Sequence, residues 1–185
     1  MHETDELIYS RYLREGSEDD LRILLERHRE SLMLFLFGFV QSEEDAEELM
    51  MDTYAVVASG TAGFSGKSTF KTWLFAIGRN KARSLLRRRK GFFVSMDDVQ
   101  ITDHETPELS ILDGEQSSHL YEAMEHLPTA YKQVLYLMYF EEMTHDEICG
   151  IMHKSKKQVY NLAERGKKAL REEMTKRGYQ YEKHR

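Results

Sequence analysis

A block of basic side chains between residues 61 and 91 is the first feature of this sequence with evident chemistry. It contains nine Lys and Arg residues and no Asp or Glu, within a chain of 185 residues whose formal net charge is −6. Lys and Arg at helical spacing bridge successive phosphates of a nucleic-acid backbone. Because the chain as a whole is acidic, the block predicts either a polyanion or an acidic partner, and we interpret the partner as DNA.

Helical periodicity divides this block into two faces. Apolar residues recur at spacings of three and four from Phe70 onwards and predict an inner, packed face that includes Trp73. Arg79, Arg83 and Arg87 recur at intervals of four on an outer face, which Arg88 extends and beside which Asn80 lies. Asparagine offers paired hydrogen bonds to a base edge. We expect the outer face to contact nucleic acid.

A second candidate site lies near the C-terminus, where two helix-capping boxes follow each other eleven residues apart. Thr144 with Glu147 begins one helix, and Ser155 with Gln158 begins the next. This spacing is typical of a helix-turn-helix, whose second helix enters the major groove. Its predicted outward residues fall into two groups: Tyr160, Asn161 and Arg165 near base edges, and Lys156, Lys157 and Lys168 on phosphates.

Acidic residues form a third surface, on a helix that begins after Ser42. Glu43, Glu44, Glu47, Glu48 and Asp52 would share its outer side. From charge alone, this surface is either a solvated face or a docking face for a basic partner.

Composition predicts an all-α protein of two small helical domains. Proline occurs only twice, hydrophobic residues make up 41% of the chain, and strand-like alternation is nearly absent. Residues 92–114 contain six acidic residues and no Lys or Arg, which predicts a flexible, self-repelling linker. We therefore divide the chain into a first domain at 5–91, the linker at 92–114, a second domain at 115–177 and a flexible tail at 178–185.

Other classes of function find little support in the residues. The single cysteine, Cys149, excludes an internal disulfide and a cysteine-based zinc site. No histidine stands at ligand spacing to the acidic cluster, so we expect no metal, no cofactor, no catalytic residue and no small-molecule substrate. We thus predict a protein that is not an enzyme. The N-terminus lacks a signal-peptide pattern and no apolar run would span a bilayer, so we expect a cytoplasmic protein.

With these segments taken together, the chain resembles the extracytoplasmic-function (ECF) sigma factors of the sigma-70 family. The similarity covers about residues 7–175 and rests on the order and spacing of four strings together. These are DAEELMMDTY at 45–54, FKTWLFAIGRNKARSLLRRR at 70–89, LPTAYKQVLYLMYFEEMTHDEI at 127–148 and VYNLAERGKKALRE at 159–172. His153 departs from the family pattern, which usually has glycine at this turn, and histidine is among the residues enriched at positive φ.

The resemblance implies a σ2 domain, a linker and a σ4 domain that bind core RNA polymerase and promoter DNA. Asp45, Glu48 and Asp52 would dock on the β′ clamp helices, and the polymerase contact would extend to the β flap. An aromatic and an amide suit the walls of a pocket for an extruded base, which points to Phe64 and Asn80. The −10 element would be read by Phe64, Lys71, Arg79, Asn80, Arg83, Arg87 and Arg88, and the −35 element by the second helix of the helix-turn-helix. The family also implies an anti-sigma factor, in many cases membrane-anchored.

Two alternatives stay open from the residues alone. One is a helix-turn-helix repressor or activator that binds DNA independently of polymerase, and the other is a helical adaptor that binds only protein. The first needs a dimerisation surface and one basic face, whereas this chain has two basic faces and an acidic linker. The second leaves the basic block between residues 61 and 91 unexplained. The charge pattern further suggests that the free chain binds DNA weakly, because its acidic segments repel phosphate.

Overall fold

The computed structural model of the chain describes residues 3–90, 120 and 122–178. This part of the chain consists of helices and their connections, with no strand, so the all-α prediction is confirmed. The predicted linker at 92–114 and all but the first residue of the predicted tail lie outside the described residues.

Four helices form an N-terminal bundle: α1 (Asp5–Glu15), α2 (Glu18–Val40), α3 (Glu43–Ser59) and α4 (Phe70–Lys90). Their boundaries follow from local capping. The Ser17 hydroxyl accepts a hydrogen bond from the backbone N–H of Asp20, and the Ser42 hydroxyl accepts one from Asp45. Between α1 and α2, Gly16 takes the left-handed conformation with φ of 70°, which ends α1.

The N-terminal bundle packs around large side chains of all four helices. Tyr9 of α1 is completely buried, and its hydroxyl donates a hydrogen bond of 2.9 Å to the carbonyl of Val57 in α3. Helix α4 crosses α2 closely at Gly78, where an added Cβ would come within 3.1 Å of Leu32. Glycine therefore permits the close approach that seats α4, the basic helix, on the bundle.

The C-terminal bundle contains α5 (Thr129–Tyr139), α6 (His145–Met152) and α7 (Lys156–Lys176), preceded by a helical turn at 122–125. Both predicted capping boxes are confirmed: Thr144 and Ser155 each accept from the third residue of the following helix, whose side chain accepts in return. His153 has φ of 51° in the turn between α6 and α7, as expected of the residue replacing glycine. The helix-turn-helix is therefore intact.

The two bundles pack directly on each other through what we call the interdomain junction, where α2 and α4 contact α5 and α6. The ring of Phe35 stacks on that of Tyr136 with centroids 6.1 Å apart, and the Tyr136 hydroxyl donates to the carbonyl of Ser31 over 2.9 Å. Buried hydrophobic residues form one continuous cluster through both bundles. This closed arrangement was not anticipated from the sequence, which predicted only that the two parts are separate domains on a linker.

Candidate DNA and polymerase interfaces

The second helix of the helix-turn-helix, α7, presents its predicted DNA-facing residues to solvent. Val159, Ala163 and Gly166 are buried and hold α7 against the bundle, and an added Cβ at Gly166 would come within 3.3 Å of Leu135. On the opposite side, Tyr160 is 57% exposed. The other predicted residues on this side are exposed as well: Lys156, Lys157, Asn161, Arg165 and Lys168.

Two of these lysines have acidic neighbours on the surface. Lys156 Nζ lies 2.7 Å from the carboxylate of Asp146, and this hydrogen bond raises the pKa of Lys156. Lys168 lies 3.9 Å from Glu172. Exposed pairs of this kind contribute little to stability. Both ammonium groups are therefore available to exchange their partners for phosphates.

The outer face of α4 is exposed along its second half, as the periodicity predicted. Asn80, Arg87 and Arg88 are exposed, and Arg83 is partly exposed. These residues lie on the stretch of α4 that continues toward Lys90. This half of the predicted −10 surface is thus open in the closed arrangement.

Arg79 departs from its predicted exposed position. It is only 6% exposed, and its Nε donates a hydrogen bond of 3.4 Å to the side-chain oxygen of Gln133 in α5. This contact with Gln133 shows that the C-terminal bundle takes part in covering the arginine. The sequence pattern gave its orientation relative to one bundle and could not include the second.

Lys71 is also engaged at the interdomain junction. Its ammonium lies 2.6 Å from the carboxylate of Glu141, whose side chain is 4% exposed, and it contacts the Glu141 carbonyl at 3.4 Å. Two residues of the predicted −10 surface, Lys71 and Arg79, are therefore paired with side chains of the C-terminal bundle.

Glu147 connects the start of α4 to the helix-turn-helix. Its carboxylate accepts hydrogen bonds of 3.2 Å from the hydroxyls of both Thr69 and Thr72, and it also accepts from the backbone and side chain of Thr144. Burial raises the pKa of Glu147, but these hydrogen bonds outweigh burial and the net shift is downward. The Glu147 carboxylate thus caps the N-terminus of α6 and also binds the hydroxyls of Thr69 and Thr72 at the start of α4.

Phe64, the aromatic residue of the loop before α4, packs against a cluster of rings. Its centroid lies 5.2 Å from Trp73, 5.8 Å from Tyr9 and 6.1 Å from Phe70. Phe64 and Trp73 are both partly exposed. Trp73 is a packing residue, as predicted. Phe64 packs against the same ring cluster and is itself partly exposed to solvent.

The acidic face of α3 is partly neutralised by α4. Asp45 receives two hydrogen bonds of 2.6 Å from the guanidinium of Arg89, and Lys81 lies 3.3 Å from Asp52. The bond from Arg89 is the main reason that the pKa of Asp45 is lowered. Glu48 is exposed. Of the three predicted polymerase-binding residues, Asp45 and Asp52 therefore each have a basic partner on α4, and the pair with Asp45 is the closer one.

Sequence reasoning missed the residues of the C-terminal bundle that meet the basic helix, namely Gln133, Glu141 and Glu147. The second contact becomes visible only in the structure, where α5 buries Thr129, Lys132 and Gln133 alongside Val134, Leu135, Tyr136 and Leu137. A helix that is buried on more than one face must contact something beyond its own bundle. Periodicity, which identifies one buried face, did not indicate this second contact.

Neither a metal cluster nor a membrane-crossing helix occurs in the part of the chain that the structure describes. No three His, Cys, Asp or Glu side chains come together there in a way that would hold a metal ion. None of the helices there has the length and apolar character needed to cross a membrane.

The fold defines a class: an all-α protein of two helical bundles, with a basic, solvent-facing helix surface on each and a helix-turn-helix in the second. Protein-family models match the same two parts. Residues 24–92 match the Sigma-70 region 2 model, and residues 118–170 match a model of Sigma-70, region 4. The chain belongs to the sigma-70 family of RNA polymerase sigma factors, in its ECF group.

Individual relatives agree with this assignment over nearly their whole length. The chain is 26% identical to the RNA polymerase sigma factor YlaC of Bacillus subtilis over 162 residues, which cover 85% of this chain and 94% of YlaC. It is 25% identical to the ECF RNA polymerase sigma factor SigX of the same organism, over 85% of this chain and 84% of SigX.

Solved structures show the same fold. CnrH, determined in complex with the cytosolic domain of CnrY, matches with a TM-score of 0.66 and 21% identity, over 91% of this chain and 95% of that one. RpoE of Bartonella quintana, determined in complex with the anti-sigma factor NepR, matches with a TM-score of 0.61 and 19% identity, over 85% of this chain and 96% of that one.

Proposed function

We propose that this sigma factor directs core RNA polymerase to promoters through two separate DNA-binding surfaces, which we call the −35 reader and the −10 reader. Helix α7 enters the major groove of the −35 element, and the exposed half of α4 with the preceding loop binds and opens the −10 element. The observation that carries this proposal is the pair of basic, solvent-facing helix surfaces on two bundles of an otherwise acidic chain. The independent repressor or activator is disfavoured, because it does not account for the region 2 surface.

Within the −10 reader, the side chains have different tasks. Arg83, Arg87 and Arg88 supply positive charge along the backbone, which favours binding without selecting sequence. Asn80 is exposed and beside them, in reach of a base. Phe64 rests on the ring cluster of Tyr9 and Trp73 and would offer its open side to a base that has left the stack.

For polymerase binding, we assign the outer face of α3. Glu48 and Asp52 are exposed and carry the charge that docks on the β′ clamp helices. Asp45 is only 15% exposed and bound to Arg89. We propose that Asp45 mainly anchors the end of α4 and meets polymerase only at its edge. The contact of the C-terminal bundle with the β flap is part of the same proposal.

The closed arrangement provides a reason for weak DNA binding by the free chain. In it, Lys71 and Arg79 are paired with Glu141 and Gln133, so phosphates and C-terminal side chains compete for the same cations. Helix α7, which is exposed, and the covered part of α4 also lie in two bundles that pack directly on each other. We propose that polymerase separates the bundles, sets the two readers at promoter spacing and releases these cations.

We further propose that an anti-sigma factor controls this chain by binding it in the closed arrangement. The structures of CnrH with CnrY and of RpoE with NepR motivate this step. Such a partner stabilises whichever arrangement it contacts, because binding shifts a conformational equilibrium by its differential affinity. The chain would act in the cytoplasm and would catalyse no reaction of its own. A membrane-anchored anti-sigma factor would connect it to a signal from outside the cytoplasm.

The deciding experiment compares promoter binding by the chain alone with binding by the chain plus core polymerase, on a promoter library. We expect specific complexes and run-off transcripts only with core polymerase. A matched library with scrambled −10 segments should retain weak binding through the −35 element but give no transcript. Tight, specific binding by the chain alone would contradict the proposal.

A further inference from the structure

Helix α1 lies before the part of the chain that matches the Sigma-70 region 2 model, which begins at residue 24. It nevertheless contacts both ends of the loop between α3 and α4, residues 60–69, which we call the −10 loop. Phe64, the aromatic residue that we assign to an extruded base, lies in this loop. Helix α1 is therefore placed to control the position of a residue in the −10 reader.

Two tyrosines of α1 hold the start of the −10 loop. The hydroxyl of Tyr9 donates a hydrogen bond of 2.9 Å to the carbonyl of Val57, and the hydroxyl of Tyr12 donates one of 2.7 Å to the carbonyl of Ala58. The last four carbonyls of a helix have no acceptor role in its own ladder, and α1 supplies donors to two of them here. The end of α3, from which the −10 loop departs, is thus fixed to α1.

A carboxylate of α1 holds the other end of the −10 loop. Glu6 Oε1 accepts a hydrogen bond of 2.7 Å from the backbone N–H of Phe70, the first residue of α4. The first N–H groups of a helix lack acceptors within the helix, and the helix dipole favours a negative charge beside them. Because Glu6 lies in the N-terminal bundle, this bond does not depend on the contact between α4 and the C-terminal bundle.

The ring of Phe64 also packs on α1, between these two ends. It lies 5.8 Å from the ring of Tyr9, which in turn lies 5.1 Å from Phe70 and 5.4 Å from Trp73. Phe64 is partly exposed, whereas Tyr9 is completely buried. Tyr9 therefore connects the end of α3, the aromatic residue of the −10 loop and the beginning of α4.

Helix α1 is itself fixed on α2 at two points. The guanidinium of Arg11 donates two hydrogen bonds of 2.6 Å to the carboxylate of Asp20. The carboxylate of Asp5 pairs with both Arg27 and His28. A shift of α1 would break these pairs, so α1 gives the −10 loop a fixed support.

We propose that α1 is a positioning element of the −10 reader, which holds both ends of the −10 loop so that Phe64 stands ready for an extruded base. The inference rests on the proposed function of the −10 loop and extends it to Glu6 and Tyr12, which we do not assign to DNA. A loop that is already ordered loses little further conformational freedom on binding. Loosening the loop should therefore slow promoter opening and leave the initial, phosphate-dependent binding in place.

Trp73, the only tryptophan of the chain, reports on the −10 loop without polymerase, because its ring lies 5.2 Å from that of Phe64. In the free full-length chain, Tyr12→Phe should shift the Trp73 emission to longer wavelength and increase its quenching by acrylamide. Tyr54→Phe is the matched control. It also removes a hydroxyl that donates a bond of 2.7 Å within the N-terminal bundle, to the carbonyl of Leu25, but it leaves both loop ends intact. Equal emission and quenching in the two variants would contradict the inference.

Two substitutions at Glu6 test the other end of the loop. Glu6→Ala removes the acceptor of the Phe70 N–H, whereas Glu6→Gln keeps an oxygen acceptor. Both remove the charge, so they differ only in the hydrogen bond. With core polymerase on a duplex promoter, −10 thymines should become reactive to permanganate about fivefold more slowly with Glu6→Ala, as expected for one lost hydrogen bond. Opening with Glu6→Gln should stay close to that of the unchanged chain, and initial promoter binding should be alike in all three.

A double-mutant cycle with Phe64 separates positioning from a general loss of stability. If α1 acts through Phe64, Glu6→Ala should slow opening no further in a chain that already carries Phe64→Ala. Fully additive effects, or equal opening by Glu6→Ala and the unchanged chain, would overturn the inference. Failure of the unchanged chain to open any promoter would instead contradict the proposed sigma function, and the Trp73 measurement would still decide whether α1 holds the loop.

Discussion

The ammonium of Lys71 and the buried carboxylate of Glu141 face each other across the interdomain junction at 2.6 Å. The cation that we assign to −10 DNA is therefore also the counter-ion of a carboxylate with little access to water. If phosphate takes Lys71, the buried carboxylate of Glu141 loses its counter-ion. At this residue, we therefore expect closure and DNA binding to compete.

Glu141→Gln should shift the chain toward an open arrangement. The substitution removes the negative charge opposite Lys71 and leaves an amide in a nearly buried position. We expect a loss of closing free energy of about 1–2 kcal/mol, less than for a fully buried pair because Lys71 is partly exposed. The radius of gyration should increase and binding of single-stranded −10 DNA by the free chain should strengthen. Glu142→Gln, its exposed neighbour, is the control; equal behaviour of the two variants would remove the Lys71–Glu141 pair from the closing mechanism.

Arg83 and Asn80 should affect promoter binding in different ways. Arg83→Ala removes one phosphate contact, so holoenzyme affinity should fall across all sequences and the salt slope should decrease by about one. Asn80→Ala should leave that slope unchanged and reduce opening, measured by permanganate reactivity of −10 thymines. An unchanged salt slope in Arg83→Ala would contradict its phosphate role.

Asp45→Asn should reduce stability more than it reduces polymerase affinity. The Arg89 guanidinium holds the pKa of Asp45 below its usual value, so the pair stabilises the fold above about pH 4 and its contribution disappears as the pH falls through the lowered pKa. We expect a loss of about 1 kcal/mol at pH 7, measured by thermal unfolding, and a smaller loss near pH 3. Glu48→Gln should show the reverse, with unchanged stability and weaker binding to core polymerase. If Asp45→Asn unfolds like the unchanged chain but binds polymerase poorly, Asp45 is a docking residue.

Lys132→Met should stabilise the closed chain, and more at neutral than at alkaline pH. Since burial lowers the pKa of Lys132 to about 8, the penalty of the buried charge is greatest below pH 8 and fades as the pH rises toward the unfolded value of 10.5. The gain on removing the ammonium is thus about 3 kcal/mol at pH 7 as an upper value, and about 2 kcal/mol less at pH 9.5. Thermal unfolding at the two pH values measures this difference, with Lys176→Met as control. A gain independent of pH would mean that the ammonium is not the source of the penalty.

Several parts of the structure follow from the sequence because they depend on neighbours along the chain. The capping boxes at Thr144 and Ser155 require only a hydroxyl and a side chain three residues later, and both form. His153 adopts positive φ because the turn between two fixed helix ends demands it. The same holds for the exposure of Tyr160 and Asn161, which is set by the apolar stripe of their own helix.

The interdomain junction could not be predicted in this way. The residues that meet there are far apart in sequence: Arg79 and Gln133 are separated by 54 positions, and Ser31 and Tyr136 by 105. Periodicity assigns each residue to a face of its own helix but does not say what that face meets. Arg79 and Lys132 were therefore indistinguishable from solvated cations until the packing of the second bundle was known.

The Lys71–Glu141 pair also changes how salt titrations of this protein should be interpreted. Added salt weakens phosphate contacts, but it also screens the partly exposed Lys71 side of the junction and frees cations for DNA. For the free chain these effects oppose each other, and the apparent salt slope understates the number of phosphates bound. In a free chain opened by Glu141→Gln, the full slope should appear. The difference between the slopes of this variant and the unchanged chain then estimates the number of charges that closure withholds from DNA.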